Sequence, residues 1–303
     1  MISIVIPLYN KEKQILNTLN SVFNQTFQEY EIVIVNDGST DKSVAIVNQI
    51  KDDRIRLIHQ ENQGVSVARN RGIEEAKYNL IAFLDADDEW KPEYLQTQSE
   101  LAQKYPECSI FACNYEFKNE SGKTTPTIIR KLQLSEMDRI LDNYFEVASC
   151  SNPPLWTSAV MVKKEAILSI DGFPIGIKAG EDLLTWARLA TKYKIAYSKK
   201  TVAFFVADTS SSKPRRVPAE QDVVGAELKK LYQENQAVSG LKQYISLWHK
   251  MRASIYLRLN DRKKALKEAI ISLRFNPLNW KMMIYIGLVI MPNNIIHKLL
   301  LIK

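Results

Sequence analysis

The sequence predicts an α/β fold: a mostly parallel sheet flanked by helices, followed by an all-helical C-terminal extension. Three observations predict it. Short β-branched runs alternate with helical periodicity through residues 1–105, the pattern of parallel strands joined by crossover helices. Polar and acidic residues follow three of those runs, at the carboxyl ends of strands, where open α/β sheets bind ligands. From Pro218 onward only stripes of helical period recur.

The elements follow in order. Ile2-Ser3-Ile4-Val5-Ile6 is a near-continuous apolar strand, and Ile15, Leu19, Val22 and Phe23 repeat at helical spacing after it. Residues 31–35 form the second strand; after the turn Asp37-Gly38-Ser39-Thr40, Asp41 is expected to cap the next helix. Residues 54–59 predict a third strand, 65–77 a helix, and Leu80-Ile81-Ala82-Phe83-Leu84 a fourth strand ending on Asp85-Ala86-Asp87-Asp88. Beyond residue 106 the pattern loosens, with strands expected around 109–117, 156–162 and 195–206 and a helix over 183–192. In the extension, Leu241, Tyr244, Ile245, Trp248, Ile255 and Leu259 share one stripe, and Ala265, Leu266, Ala269, Ile270 and Leu273 another. Residues 261–277 look like one helical unit of a tetratricopeptide array, but such arrays need three or more repeats and one is present.

Bulk composition agrees with a globular chain: 303 residues, 46% hydrophobic and 25% charged. Cys108, Cys113 and Cys150 are too few for a disulfide framework and lack histidines at zinc spacing, so they are expected to be reduced core thiols of a cytosolic protein. No basic leader or small-residue cleavage site accompanies residues 2–8, so no secretory signal is expected. The apolar run 282–291 is far shorter than the roughly 20 residues that span a bilayer. Charge is unevenly spread. Residues 213–303 hold 17 Lys and Arg against 6 Asp and Glu, whereas residues 1–212 carry a net −4. That basic surface suits nucleic acid or anionic lipid, and composition does not separate the two.

Four constellations carry chemistry. Asp85, Asp87 and Asp88 concentrate negative charge at a strand end, which hard cations such as Mg²⁺ or Mn²⁺ relieve while a diphosphate supplies further oxygens; alternatively Asp88 and Glu89 begin a helix at Trp90-Lys91-Pro92. Tyr9 and Asp37 stand at the ends of the first and second strands, suited to stack on a base and to accept from its imide N–H or from ribose, or else to packing and turn formation. Arg69 and Arg71 lie on the helix before the acidic strand, with Arg69 expected in the crevice and Arg71 outside it. Glu181 and Asp182 open a helix, either as dipole-favoured caps or with a general base among them whose pKa the helix N-terminus would lower. No Gly-x-Gly-x-x-Gly or Gly-x-x-x-x-Gly-Lys-Ser/Thr follows any strand, which excludes the usual dinucleotide and P-loop phosphate cradles.

Taken together, Ile-Pro-Leu-Tyr-Asn, Asn-Asp-Gly-Ser-Thr-Asp, Gly-Val-Ser-Val-Ala-Arg-Asn, Leu-Asp-Ala-Asp-Asp and Gly-Glu-Asp resemble the inverting family 2 glycosyltransferases of the GT-A fold, the bacterial surface-polysaccharide type, over roughly residues 1–210. The resemblance implies a catalytic domain over 1–212, divided into a nucleotide-binding half (1–105) and an acceptor-binding half (106–212), with 213–303 as a basic helical extension. It implies that Pro7, Tyr9, Asn10, Glu12, Asp37, Arg69, Asp85 and Ala86 line the nucleotide site, with Asp85 on ribose, that Asp87 holds Mn²⁺ or Mg²⁺, and that Asp182 is the base. Asp88, Trp156 and Glu181 would lie near donor sugar or acceptor. Asn36 stands where the family usually has a first Asp, and Val206-Ala207-Asp208-Thr209-Ser210 replaces the loop that often carries a His or Arg, leaving a third metal ligand unassigned. The expected reaction moves a sugar from a nucleotide-diphosphate donor, with uridine favoured by the resemblance, to a glycan or lipid-linked acceptor. No nucleic-acid partner is expected. The expected location is the cytoplasm, peripheral at the inner leaflet if Trp280, Met282, Met283, Ile284 and Tyr285 beside Lys281, with residues 299–303, form an interfacial helix rather than a cap on the catalytic domain. The rivals are a nucleotidyltransferase, which would want a Gly-rich basic loop where Pro7-Leu8-Tyr9-Asn10-Lys11-Glu12 stands, and a non-catalytic binding module.

Overall fold

The structure, a computed structural model, describes residues 1–132, 136–206, 217–289 and 291. Its first half is β1 (Ile2–Leu8), α1 (Ile15–Phe23), β2 (Tyr30–Asp37), α2 (Ser43–Gln49), β3 (Ile55–Gln60), α3 (Val65–Glu75) and β4 (Leu80–Phe83). These strands are parallel in the order β3-β2-β1-β4. Three strand ends therefore fall on one edge of the sheet: Tyr9-Asn10, Asn36-Asp37 and residues 85–88. Close approach of α3 to the sheet depends on Gly72, where a Cβ would overlap the Val5 side chain.

Next come β5 (Glu89–Trp90), α4 (Tyr94–Lys104), β6 (Ile110–Lys118), β7 (Thr124–Pro126), β8 (Asp138–Ile140), α5 (Tyr144–Ala148), β9 (Val160–Lys163), α6 (Lys164–Leu168), α7 (Glu181–Ala190) and β10 (Ile195–Val206). The sheet continues β4-β9-β6-β10-β5, with β7 beside β6 and β8 beside β10. β9 runs antiparallel to β4 and β6, while β6 and β10 are parallel. Alternation along β1 sorts two cores: Ile2, Ile4, Ile6 and Leu8 pack with α1 and α4, and Val5 faces Ile73, Phe83, Phe173 and Trp186.

The chain closes with α8 (Val223–Glu234), α9 (Leu241–Arg258), α10 (Arg262–Phe275) and α11 (Trp280–Val289). Val224, Leu228, Leu241, Tyr244, Ile245 and Trp248 join the core beneath the sheet, with α8 and α9 packed against α5 and α7. A smaller cluster of Tyr256, Leu257, Ala265 and Leu288 holds α9, α10 and α11 together. No helix among the described residues is long and apolar enough to cross a membrane.

Several local expectations are corrected. Glu89 and Trp90 pair with β10 rather than starting a helix, because strand partners far along the chain, Phe204 and Ala203, outweigh the local pattern; the helix begins at Tyr94. Asp41 precedes the N-cap Lys42, though its carboxylate still accepts from the Ser43 amide at 2.9 Å. Past Trp248 the buried stripe of α9 moves to Arg252, Ala253, Tyr256 and Leu257, where α10 rather than α5 and α7 covers it, and Ile270 is 41% exposed. Cys108 and Cys113 are buried free thiols, and burial pushes Cys108 up to about 11; Cys150 is exposed and is no core thiol.

Candidate functional site

β1 and β4 part after the pairing of Val5 with Phe83, and Pro7 stands beyond that point. The crevice so opened is walled by two laced loops. Asn10, at φ +50, a left-handed position that Asn tolerates, accepts from the Thr40 amide at 2.8 Å and donates its own amide to Ser39 Oγ at 3.2 Å. Glu12 accepts from the Lys42 amide at 3.0 Å, and its amide donates to Asp41 at 3.0 Å. This lacing leaves Tyr9 on the rim, 48% exposed. Asn36 accepts from the Ser39 amide and lies 3.2 Å from His59 Nδ1. Asp37 is buried, and its carboxylate accepts from Gln60 Nε2 and from the Gln63 and Gly64 amides at 2.8–2.9 Å, which ties the end of β2 to the start of α3.

The acidic cluster divides into three environments. Asp85 receives Arg69 Nη2 at 2.7 Å, and its amide donates to Ser158 Oγ. Asp87 is paired with the Lys11 ammonium. Both side chains keep about a quarter of their surface exposed, 25% and 29%. Ala86 is buried and its carbonyl accepts from Thr18 Oγ1 at 3.0 Å. Asp88 is 1% exposed and accepts from Ser158 Oγ at 2.5 Å, Trp156 Nε1 at 3.3 Å and the Val206 amide at 3.0 Å. Asp88 therefore joins β4, β9 and β10 and caps no helix; both oxygens are engaged by protein donors. Burial, reinforced by the negative neighbours Asp85 and Asp87, pushes its carboxyl well up. Trp156 stacks on Tyr115 with ring centres 5.8 Å apart and meets Phe205 edge-on at 4.7 Å.

Arg69 connects this cluster to the second half. It is 4% exposed, lies over the Phe173 ring, and reaches Glu181 Oε1 at 3.6 Å with Nη1. Its Nε and Nη1 make no hydrogen bond among the described residues. Arg71, two positions on, is half exposed and pairs with Glu75 at 2.7 Å, outside the crevice. Asp182, the next residue after Glu181, accepts from the Leu183 amide at 2.7 Å. The expected lowering of its pKa by the helix N-terminus is overturned: burial is the largest influence, with the negative charge of Asp85 adding to it, and together they raise the carboxyl despite the Leu183 amide and Arg69. Glu181 is raised as well, by burial and then by Asp182. Arranged this way, the site offers exposed hard oxygens for a cation, a buried guanidinium, and a carboxylate more basic than usual.

Lys11 and Ser158 belong to the site without having been singled out in the sequence. Lys11 had a signal, since it is the first cation after the first strand. Ser158 reaches Asp88 across 70 positions and leaves no local pattern. Residues 207–210, expected to bear on a third metal ligand, lie outside the described residues.

Comparison with known proteins agrees with this geometry. Residues 3–160, more than half of the chain, match the model of the family described as Glycosyl transferase family 2. The glycosyltransferase EpsH of Bacillus subtilis (strain 168) is 42% identical over 127 residues, 41% of this chain and 36% of that protein. YibD of Escherichia coli (strain K12), named an uncharacterized glycosyltransferase, is 41% identical over 130 residues, 42% and 38% of the two chains. This chain thus matches little more than a third of the length of those two relatives. The teichuronic acid biosynthesis glycosyltransferase TuaG of B. subtilis is 32% identical over 200 residues, covering 65% of this chain and 75% of TuaG. Among solved structures, S. aureus TarS 1-349 in complex with UDP-GlcNAc superposes with a TM-score of 0.70 at 18% identity, over 90% of this chain and 81% of that one; at that identity the likeness establishes the fold. The parallel strand order, the acidic crevice and the matched motif region agree, and the chain belongs to glycosyl transferase family 2.

Proposed function

We propose that the chain is an inverting transferase that moves a sugar from a UDP-sugar to a hydroxyl of a glycan or lipid-linked acceptor. One observation carries the reading: the buried Arg69 touches both Asp85 in the strand-end cluster and Glu181 beside Asp182, so a donor-side carboxylate and the residue next to the candidate base meet at one guanidinium. Pro7, Tyr9, Asn10, Glu12, Asp37, Arg69, Asp85 and Ala86 form the nucleoside side, with Tyr9 free to stack on the base. Asp88 and Trp156 back the sugar pocket. That crystals of TarS contain UDP and UDP-GlcNAc supports a uridine donor. Residues 1–212 act as the catalytic unit and 213–303 as a helical extension seated on it.

The donor set fits a divalent cation. Asp87 presents a partly exposed carboxylate paired with the Lys11 ammonium, itself a sign that positive charge belongs there. Asp87 would hold Mn²⁺ or Mg²⁺, which when bound offsets the charge developing on the departing diphosphate. Asp182 accepts the proton of the attacking hydroxyl, and direct attack inverts the anomeric centre. Its raised pKa brings it closer to the strength a general base needs near neutrality.

A thermal-shift screen of UDP-sugars with and without Mn²⁺ tests the donor reading, since a ligand that binds only the folded state raises its stability. A Mn²⁺-dependent rise, with release of UDP rather than pyrophosphate, is the expected result; a panel with no shift overturns it. A second reading concerns location. Leu278, Trp280, Met283 and Ile284 are exposed, at 49–90%, on and beside α11, and the surrounding extension is basic, which supports contact with an anionic inner leaflet.

A further inference from the structure

The C-terminal helices reach the turn that carries the candidate base through two side chains of α9, Trp248 and Tyr244. Gly180, the N-cap of α7, sits at φ +87, and a Cβ there would stand 2.6 and 2.7 Å from two ring carbons of Trp248. The Trp248 ring thus lies flush against the backbone immediately before Glu181 and Asp182. Its indole N–H donates to Asp222 Oδ1 at 2.9 Å, and the same oxygen accepts the Gly225 amide at the start of α8. Asp222 in turn faces Arg252 Nε at 3.6 Å and His249 Nδ1 at 3.8 Å. Glu268 of α10 holds both from the other side, Arg252 at 2.8 Å and His249 at 2.6 Å. One turn N-terminal on α9, the Tyr244 hydroxyl donates to the Leu183 carbonyl at 3.1 Å. Asp222, His249 and Glu268 are spaced as metal ligands could be, yet the Arg252 guanidinium already supplies the positive charge between the two carboxylates, and the cluster reads as a buried ion-pair network.

We propose that Trp248 is a positioning residue for Asp182, braced by the Asp222–Arg252–Glu268 network, so that α8, α9 and α10 fix the geometry and dryness of the candidate base. The inference rests on the reading of Asp182 given above. Two contacts on one turn of α7, a ring against Gly180 and a hydroxyl on Leu183, fix both the entry and the pitch of that turn. The charged and titratable groups around Asp182 are Arg69 on α3, Asp85 after β4, Glu181 on α7 itself, and the hydroxyls of Tyr115, Tyr144 and Tyr244 on β6, α5 and α9. Trp248 adds no charge to this set, and its ring covers the backbone at Gly180.

The test follows the Asp182 carboxyl directly by carbon NMR of the full chain labelled at aspartate Cγ, with the resonance assigned by its loss in D182N. In the wild type it should titrate above the range of an ordinary aspartate. Trp248→Ala should lower that midpoint, and Trp248→Phe, which keeps a ring against Gly180 but cannot donate to Asp222, should lower it less. Binding of UDP with Mn²⁺, measured by calorimetry, should stay within twofold in both. An unchanged Asp182 titration in the folded variants overturns the proposal, as does loss of UDP binding, which would mark a general collapse; if the alanine variant does not fold, the phenylalanine variant decides alone. Full glycosyl transfer by D182N would overturn the base assignment while leaving the positioning result standing.

Discussion

Asp182 embodies a conflict between burial and charge. Its carboxyl is raised because burial, aided by Asp85, outweighs the Leu183 amide and the Arg69 cation. A carboxyl raised on folding binds protons more readily in the native state, so its ionisation costs stability, and that cost grows as pH rises from the unfolded value through the folded one. Asp182→Asn keeps the shape and the acceptor oxygen facing Leu183 while removing the charge. It should lower kcat by about 10²–10⁴-fold, leave UDP binding in place, and raise the melting temperature at neutral pH; a fall in melting temperature would count against the burial argument. For the same reason the acid limb of kcat/KM should lie above the range of ordinary carboxylates and should move when Glu181, its coupled neighbour, is replaced by Gln. On the donor side, Asp87→Asn should abolish the Mn²⁺-dependent part of the thermal shift given by a UDP-sugar, and a Mn²⁺-independent shift that survives would show the nucleoside contacts to be intact. The candidate carboxylates themselves were legible in the sequence, because each ends a strand or begins a helix within a short motif. That Asp88 caps no helix was not legible, because its three partners, Ser158, Trp156 and Val206, lie 68 to 118 positions away.

At the scale of elements, the first four strands and their helices fall within about two residues of where apolar runs and turn residues put them. Strands buried on both faces show as near-continuous apolar runs, as β1, β2 and β4 do, whereas β3 is only partly buried and carries Arg56 and His59. The pairing of β5, β7 and β8 was not legible, since strands of two or three residues exist only through partners on β10 and β6. The start of α7 is the element on which most depends. Gly180 combines a left-handed φ with a neighbour that leaves no room for a methyl group, so Gly180→Ala suffers both backbone strain and overpacking. It should destabilise the fold by about 2–4 kcal/mol, read from urea midpoints, and reduce turnover more than it reduces UDP binding. Glu268→Ala tests the brace at its far end. Removing one member of a buried ionic network leaves Arg252 and His249 with only the more distant Asp222, at 3.6 and 3.8 Å, and the expected loss is about 3–5 kcal/mol, against well under 1 kcal/mol for removing the exposed Lys200–Glu100 pair.

Over the whole molecule, charge and apolar exposure are segregated in a way that bears on where the enzyme works. The last 91 residues hold the excess of positive charge, and α11 turns Met282 and Leu288 inward while Met283 and Ile284, 63% and 49% exposed, face out. Deleting the segment would therefore confound two effects, because it also uncovers Tyr256, Leu257 and Ala265. Replacing Met283 and Ile284 together by Glu leaves that small core covered and changes only the outward face. If the extension rests on an anionic leaflet, the wild type should co-sediment with phosphatidylglycerol vesicles and only weakly with phosphatidylcholine. Each Lys or Arg near the lipid surface contributes about 1 kcal/mol at low salt, and that share should fade as the Debye length shrinks from about 10 Å at 0.1 M to about 3 Å at 1 M. The apolar share should not fade. The double substitution should accordingly remove the salt-resistant binding and weaken vesicle affinity at least tenfold, while the melting temperature and the UDP response stay as they were. Equal binding by the variant would assign α11 to capping the helical extension and leave the basic surface to be explained by another anionic partner.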